Sequence, residues 1–297
     1  MDQERRETRT PDGRRLVFHV AGPERAPLLV FHTGTPGHPH IYSGMIEACA
    51  ARSLRIACPA RPGYAGSGRL KGRTYADNPI DTKVVADKLD AEMFYVLGHS
   101  GGGGPALADA ALIPGRVRSV AVSATLAPRL LMGRRWKRGL KKANGDEIQA
   151  MEAGGSALKR HLKARADEMA KVRTAKQITD NSDFRRFYAR VDRKCFTSEY
   201  LAFLLKIYSL IGNDHVDGWM DDDLCFFGDW GFDLSRVAAP VTIWQGRKDK
   251  IIPVAHARWL KRNVPGAQLR LHRSDGHVSL LNNHFGEMLD DLITRGS

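Results

Sequence analysis

Short runs of apolar and β-branched residues recur along the first part of this chain, and helix-like stretches fill the later gaps between them. Leu16 to Val20, Leu28 to Phe31, Arg55 to Cys58, Phe94 to Leu97 and Ser119 to Ser123 each predict a strand. Tyr42 to Arg52, Asp81 to Glu92 and Pro105 to Leu112 predict helices. Only Ala21-Gly22-Pro23-Glu24-Arg25-Ala26-Pro27 joins the first two strands. That connection is too short and turn-rich for a crossover helix, so this pair is expected to be antiparallel. The remainder implies a mainly parallel sheet covered on both faces. From Ala127 to Trp230 the pattern turns helical and polar. It resumes with strands at Val241 to Trp244 and Gln268 to Leu271, and a last helix is expected over Ser279 to Thr294. A helical insertion between two sheet strands reads as a lid over the carboxyl edge, where open α/β sheets place their sites.

Phe94 to Leu97 runs directly into Gly98-His99-Ser100-Gly101-Gly102, and Pro105 to Leu112 follows as a small-residue helix. Gly-x-Ser-x-Gly alone is a weak signal; between a strand and a helix it describes a nucleophile elbow. The turn is so sharp that a Cβ two residues before or after Ser100 would collide with backbone, which Gly98 and Gly102 avoid. The serine hydroxyl then stands exposed at the strand end. The Gly101 NH, at the helix start, faces the position where a carbonyl oxygen would gain charge.

A serine nucleophile needs a base, and the base needs an orienting acid. After the first resumed strand comes Gln245 to Pro253, a polar turn centred on Asp249. After the second comes Ser274-Asp275-Gly276-His277-Val278, which puts His277 on a loop. The order Ser100, Asp249, His277 is the one the elbow pattern requires. His277 would take the Ser100 proton while Asp249 fixes the imidazole tautomer. Asp275 is set aside as too close to turn back on His277, and Asp221-Asp222-Asp223 as a solvated segment or helix start.

These residues resemble an α/β-hydrolase-fold serine hydrolase with a helical cap, and the resemblance covers nearly the whole sheet domain. Phe31-His32-Thr33-Gly34-Thr35-Pro36-Gly37 resembles the family's His-Gly-x-Pro oxyanion loop, with Thr33 interposed between His32 and Gly34. Thr35, whose NH would pair with that of Gly101, is taken as the second oxyanion donor, with Thr33 as the alternative, because Pro36 has no NH. Arg61-Pro62-Gly63-Tyr64-Ala65-Gly66-Ser67 resembles the family's Asp-Arg-Pro-Gly-x-Gly-x-Ser segment, with Ala60 in place of the Asp, and reads as structural. His32 reads as a loop brace. The resemblance implies an α/β-hydrolase core over residues 1–127 and 231–297 and a helical cap over 128–230, inserted after the sixth strand. Serine at the elbow, where epoxide-opening and dehalogenating relatives carry Asp, implies hydrolysis of an ester, lactone, thioester or activated amide. A small-molecule receptor, a lyase and a cofactor-free oxidative enzyme on the same scaffold are the alternatives.

The remaining features narrow the setting. No apolar run approaches the ~18 residues a membrane span needs, and the polar start Met1-Asp2-Gln3-Glu4-Arg5-Arg6-Glu7 predicts neither secretion nor membrane insertion. Cys49, Cys58, Cys195 and Cys225 are scattered without a Cys-x-x-Cys pair. They predict reduced thiols in a cytoplasmic protein, without a zinc site or disulfide framework. No phosphate loop, dinucleotide fingerprint or metal-ligand cluster is recognisable, so no cofactor and no metal are expected. Arg129 to Lys194 holds nineteen Lys and Arg against eight Asp and Glu, and Cys195 to Trp230 reverses the sign with one against seven. The basic stretch reads first as a solvated face and second as a surface steering an anionic small-molecule substrate. Nucleic-acid binding is not expected, because no recognition motif accompanies the charge. The oligomeric state is left open.

Overall fold

The computed structural model describes residues 2–140 and 142–297, so Lys141 of the basic stretch lies outside the described residues. Eight strands form one sheet: β1 (Glu4–Arg9), β2 (Arg15–Ala21), β3 (Leu28–His32), β4 (Arg55–Pro59), β5 (Phe94–His99), β6 (Val117–Ser123), β7 (Val241–Gly246) and β8 (Gln268–His272). Their order is β1-β2-β4-β3-β5-β6-β7-β8. The β1–β2 and β2–β4 pairs are antiparallel and all others parallel. All seven expected strands are present. β2 and β3 do run in opposite directions, but they are not neighbours, because β4 inserts between them. β1 was not foreseen: its sequence, Glu-Arg-Arg-Glu-Thr-Arg, has no apolar position. It is an edge strand, and Glu7 meets Arg15 of β2 across the pair instead of packing on a core.

Thirteen α-helices are found among the described residues. In the core they are α1 (Ser43–Ala50), α2 (Asn78–Lys88), α3 (Gly103–Leu112), and later α12 (Val254–Asn263) and α13 (Val278–Arg295). Between β6 and β7 lie α4 (Arg129–Met132), α5 (Lys142–Glu152), α6 (Gly155–Lys171), α7 (Ala175–Asp180), α8 (Ser182–Phe187), α9 (Arg190–Lys194), α10 (Ser198–Gly212) and α11 (Asp217–Phe227). The central strands β3, β4 and β5 alternate their burial to both faces. Leu28, Val30, Phe94 and Val96 pack with Val85, Leu107 and Leu260 on one side. Leu29, Phe31, Tyr95 and Leu97 pack with Met45, Ile46, Leu280 and Phe285 on the other. Two smaller clusters join the helical segment to core loops, Leu158, Leu162 and Trp219 around Tyr64, and Ile178, Phe184 and Phe196 around Val278.

The topology locates the site. From β3 the chain moves to β4 on one side, and from β5 it moves to β6 on the other. The loops leaving the carboxyl ends of β3 and β5 therefore part in opposite directions, which opens a crevice between them. No helix among the described residues is long and apolar enough to cross a membrane.

Candidate active site

Ser100 follows the last residue of β5 and has φ +53°, a left-handed conformation that a side-chain-bearing residue adopts only when its surroundings impose it. The imposition is visible at the flanking glycines. A Cβ on Gly98 would fall 2.7 Å from the carbonyl carbon of Gly102, and one on Gly102 would fall 2.6 Å from that of His32. Thr125 Oγ1 donates to the Ser100 carbonyl at 2.7 Å and holds the turn from the β6 side.

His277 and Asp249 meet. His277 Nδ1 lies 2.9 Å from Asp249 Oδ2, although the residues come from the loops after β8 and β7. The Asp249 carboxylate also accepts from the Ile251 and Ile252 NH groups at 2.7 and 2.9 Å, and from Gln245 Nε2 at 3.3 Å. This fixes which oxygen faces the imidazole. Burial disfavours the His277 imidazolium, but the Asp249 charge, the hydrogen bond to Asp249 and the Asp192 charge together outweigh it and raise the pKa above the ordinary histidine value. The ring of His99, the residue before Ser100, lies 4.9 Å from that of His277 between centroids. Burial and the neighbouring His277 hold His99 well below the ordinary value, so it stays neutral.

The His277 loop has a brace that the sequence did not disclose. Asp192, at the middle of α9, is fully buried. Its Oδ1 accepts from Val278 N, Ser279 N and Ser279 Oγ at 3.0, 2.9 and 2.8 Å, so it caps the start of α13 immediately after His277. Gly276 makes room for it, since a Cβ there would lie 2.5 Å from the Asp192 carboxyl carbon. Asp275, the rejected acid, turns away to Asn283 Nδ2 at 3.0 Å and His284 Nε2 at 3.1 Å. With His272 these form a group, His272, Asp275 and His284, whose ligand atoms lie within 4.8 Å of one another and could hold a metal ion.

Asp221, Asp222 and Asp223 are not a solvated run or a helix start; they sit mid-helix in α11 and all three are buried. Asp222 accepts from Arg61 Nη2 at 2.6 Å, from Arg73, from Tyr64 OH at 2.9 Å and from Thr35 Oγ1 at 2.7 Å. Burial works against its charge, but Arg61 and Arg73 prevail and hold its pKa down at about 2. Arg61 in turn donates to the Thr33 and Gly34 carbonyls at 2.7 and 2.9 Å. The Arg61 segment is thus structural, as expected, and its buried guanidinium holds the Thr33 and Gly34 carbonyls of the β3 loop. His32 is a brace as expected, buried with Nε2 at 2.8 Å from Asp109 Oδ2, which also accepts from Thr82 Oγ1 at 3.0 Å.

Ser100, Thr35 and Gly101 line one cavity of about 110 Å³. Leu126, Ile251 and Ile252 add apolar walls from the core, and Trp136, Ile148, Phe226 and Phe227 add them from the helical segment. Thr33 is not among the lining residues. A larger cleft, of about 520 Å³, lies elsewhere, between α1, α13 and the α9–α10 turn.

A sheet of this order with a strained strand-to-helix serine at its switch point defines an α/β enzyme of hydrolase type. The model of the α/β hydrolase fold family matches residues 27–284, and the chain belongs to that family. Among curated proteins it is 23% identical over 291 residues to an uncharacterised hydrolase, YcgS, of Bacillus subtilis, covering 95% of this chain and 94% of that one. It is 27% identical over 236 residues to a 2-hydroxy-6-oxononadienedioate/2-hydroxy-6-oxononatrienedioate hydrolase of Cupriavidus pinatubonensis, covering 78% and 73% respectively. Among solved structures it is similar to a bromoperoxidase from Bacillus anthracis, with TM-score 0.70, 18% identity, and 98% and 100% of the two chains covered. The protein is a hydrolase of this fold.

Proposed function

We propose that the protein cleaves a small-molecule ester, lactone, thioester or activated amide through an acyl-enzyme intermediate, with Ser100 as nucleophile, His277 as base and Asp249 as its orienting acid. The observation that carries this reading is the 2.9 Å pairing of His277 Nδ1 with Asp249, with the His277 ring 4.9 Å from that of His99, the residue before the strained Ser100. With Nδ1 committed to the carboxylate, Nε2 is the nitrogen left to take the Ser100 proton. Ser100 Oγ then bonds to the carbonyl carbon, the C=O electron pair moves to oxygen, and the Gly101 and Thr35 NH groups stabilise that oxyanion. Collapse expels the leaving group, which takes the proton from His277. Water deprotonated by the same imidazole then releases the acid and restores Ser100.

Thr35 is preferred to Thr33 because it lines the cavity with Ser100, while Arg61 engages the Thr33 carbonyl from behind. Residues 128–230 serve as the cap, since their side chains form much of the cavity wall. Intact-protein mass spectrometry after exposure to a fluorophosphonate tests the reading. One adduct, mapped to Ser100 and absent from Ser100→Ala, is expected. No adduct on folded protein would instead favour a receptor, lyase or cofactor-free oxidative role.

A further inference from the structure

Consecutive residues of an α-helix project about 100° apart, so the three aspartates of α11 go separate ways. Asp221 pairs with Arg69 at 2.8 Å and Asp222 with the arginine pair described above. Asp223 lines the cavity beside Ser100, together with Glu147 of α5. Asp223 is 2% exposed, and its Oδ2 has no hydrogen-bond partner among the described residues. Glu147 Oε1 accepts from Trp219 Nε1 at 3.2 Å, which leaves the rest of that carboxyl facing Asp223 and the cavity. No Lys or Arg is found among the described residues that line this space; the other walls are largely apolar. Buried acids in such surroundings are normally neutralised by a cation or a set of donors. Here the lining residues supply no cation, and of their donors Asn144 Nδ2 is given to the Ile251 carbonyl and Thr35 Oγ1 to Asp222.

We infer that the cavity takes a substrate whose short apolar body ends in a protonated amine, held by Asp223 and Glu147. This rests on reading the cavity as the substrate site of the hydrolase. An ammonium group brings the three donors and the positive charge that the carboxyl pair lacks. Burial, and then the adjacent Glu147 charge, raise the Asp223 pKa well above the ordinary carboxylate range. Two carboxyls so placed resist carrying negative charge together, and a cation between them relieves that repulsion. An anionic substrate, as the basic stretch of the sequence suggested, would meet this charge head-on.

Calorimetric titration of the full-length protein with n-butylammonium, 1-butanol and butanoate tests the inference, because it requires no turnover and no choice between acyl and leaving-group sides. Butylammonium should bind at least tenfold tighter than butanol, with butanoate weakest. Asp223→Asn and Glu147→Gln should each reduce butylammonium to the level of butanol, with circular dichroism confirming that at least one variant is folded. Butanol or butanoate binding as tightly as the amine, or an amine preference that survives both substitutions, would overturn it. Fluorophosphonate labelling of Ser100 in the same preparation separates the two readings: labelling without amine preference removes only the inference, and amine binding without labelling removes only the hydrolase mechanism.

Discussion

At the scale of single residues, the proposed chemistry rests on Ser100, His277 and Asp249, and three expectations follow. Ser100→Ala should lower turnover of an activated ester by roughly three or more orders of magnitude, measured with the far-ultraviolet circular dichroism unchanged. The pH profile of kcat/KM should rise with loss of the His277 proton, with a midpoint above the ordinary histidine value because Asp249 favours the imidazolium. Asp249→Asn should lower both that midpoint and kcat, and a midpoint unmoved by this change would remove Asp249 from its role. The strained turn at Ser100 and the pairing of His277 with Asp249 were legible because each residue sits in a short local pattern: a glycine-flanked turn or a polar loop directly after an apolar run. Asp192, Asp222 and Asp223 were not. The partners of Asp222 lie 161 and 149 residues away, at Arg61 and Arg73. A carboxylate in a polar helical stretch carries no local sign that an arginine so distant will bury it.

At the scale of elements, the strand-to-helix turn and the start of α13 set the positions of Ser100 and His277. Gly102→Ala should fail to give soluble protein or should abolish labelling of Ser100, since the added methyl meets the His32 backbone. Asp192→Ala removes the cap of α13 and should cost about 1–2 kcal/mol in a urea melt. It should also lower kcat more than it raises KM, because the residue next to the capped NH groups is His277; equal loss of stability with kcat unchanged would assign Asp192 to folding alone. Strand positions were readable wherever apolar residues alternate or run together. The ends were less so, since β5 and β7 continue through Gly98 and Gly246, residues of low strand propensity that the sheet pairing carries along. β1 escaped because an ionic edge strand has no hydrophobic period to detect.

At the scale of the whole molecule, the buried cluster around Asp222 joins the loop after β4, the β3 loop and α11. Its folded pKa lies below the unfolded carboxylate value of about 3.9. The stabilisation is therefore complete above that value and lost as pH falls toward about 2. Thermal melts should show a decline across that window. Asp222→Ala, which strands two buried guanidinium groups, should cost about 3–5 kcal/mol at neutral pH, and a loss under 1 kcal/mol would show the cluster to be redundant. Fold class and the place of the helical insertion were evident from the order of strands and helices, whereas the insertion's inward-facing acids were hidden by its polar average. Those acids bear on how such proteins can be recombined. The segment between β6 and β7 supplies Asp192 to the histidine loop and Asp222 to the arginine behind the β3 loop. A chimera that grafts this segment from another scaffold at residues 127 and 231 would inherit a new cover for the cavity but lose two struts, one beneath the His277 loop and one behind the β3 loop. Exchanging it for altered selectivity should succeed only when both carboxylates travel with the graft.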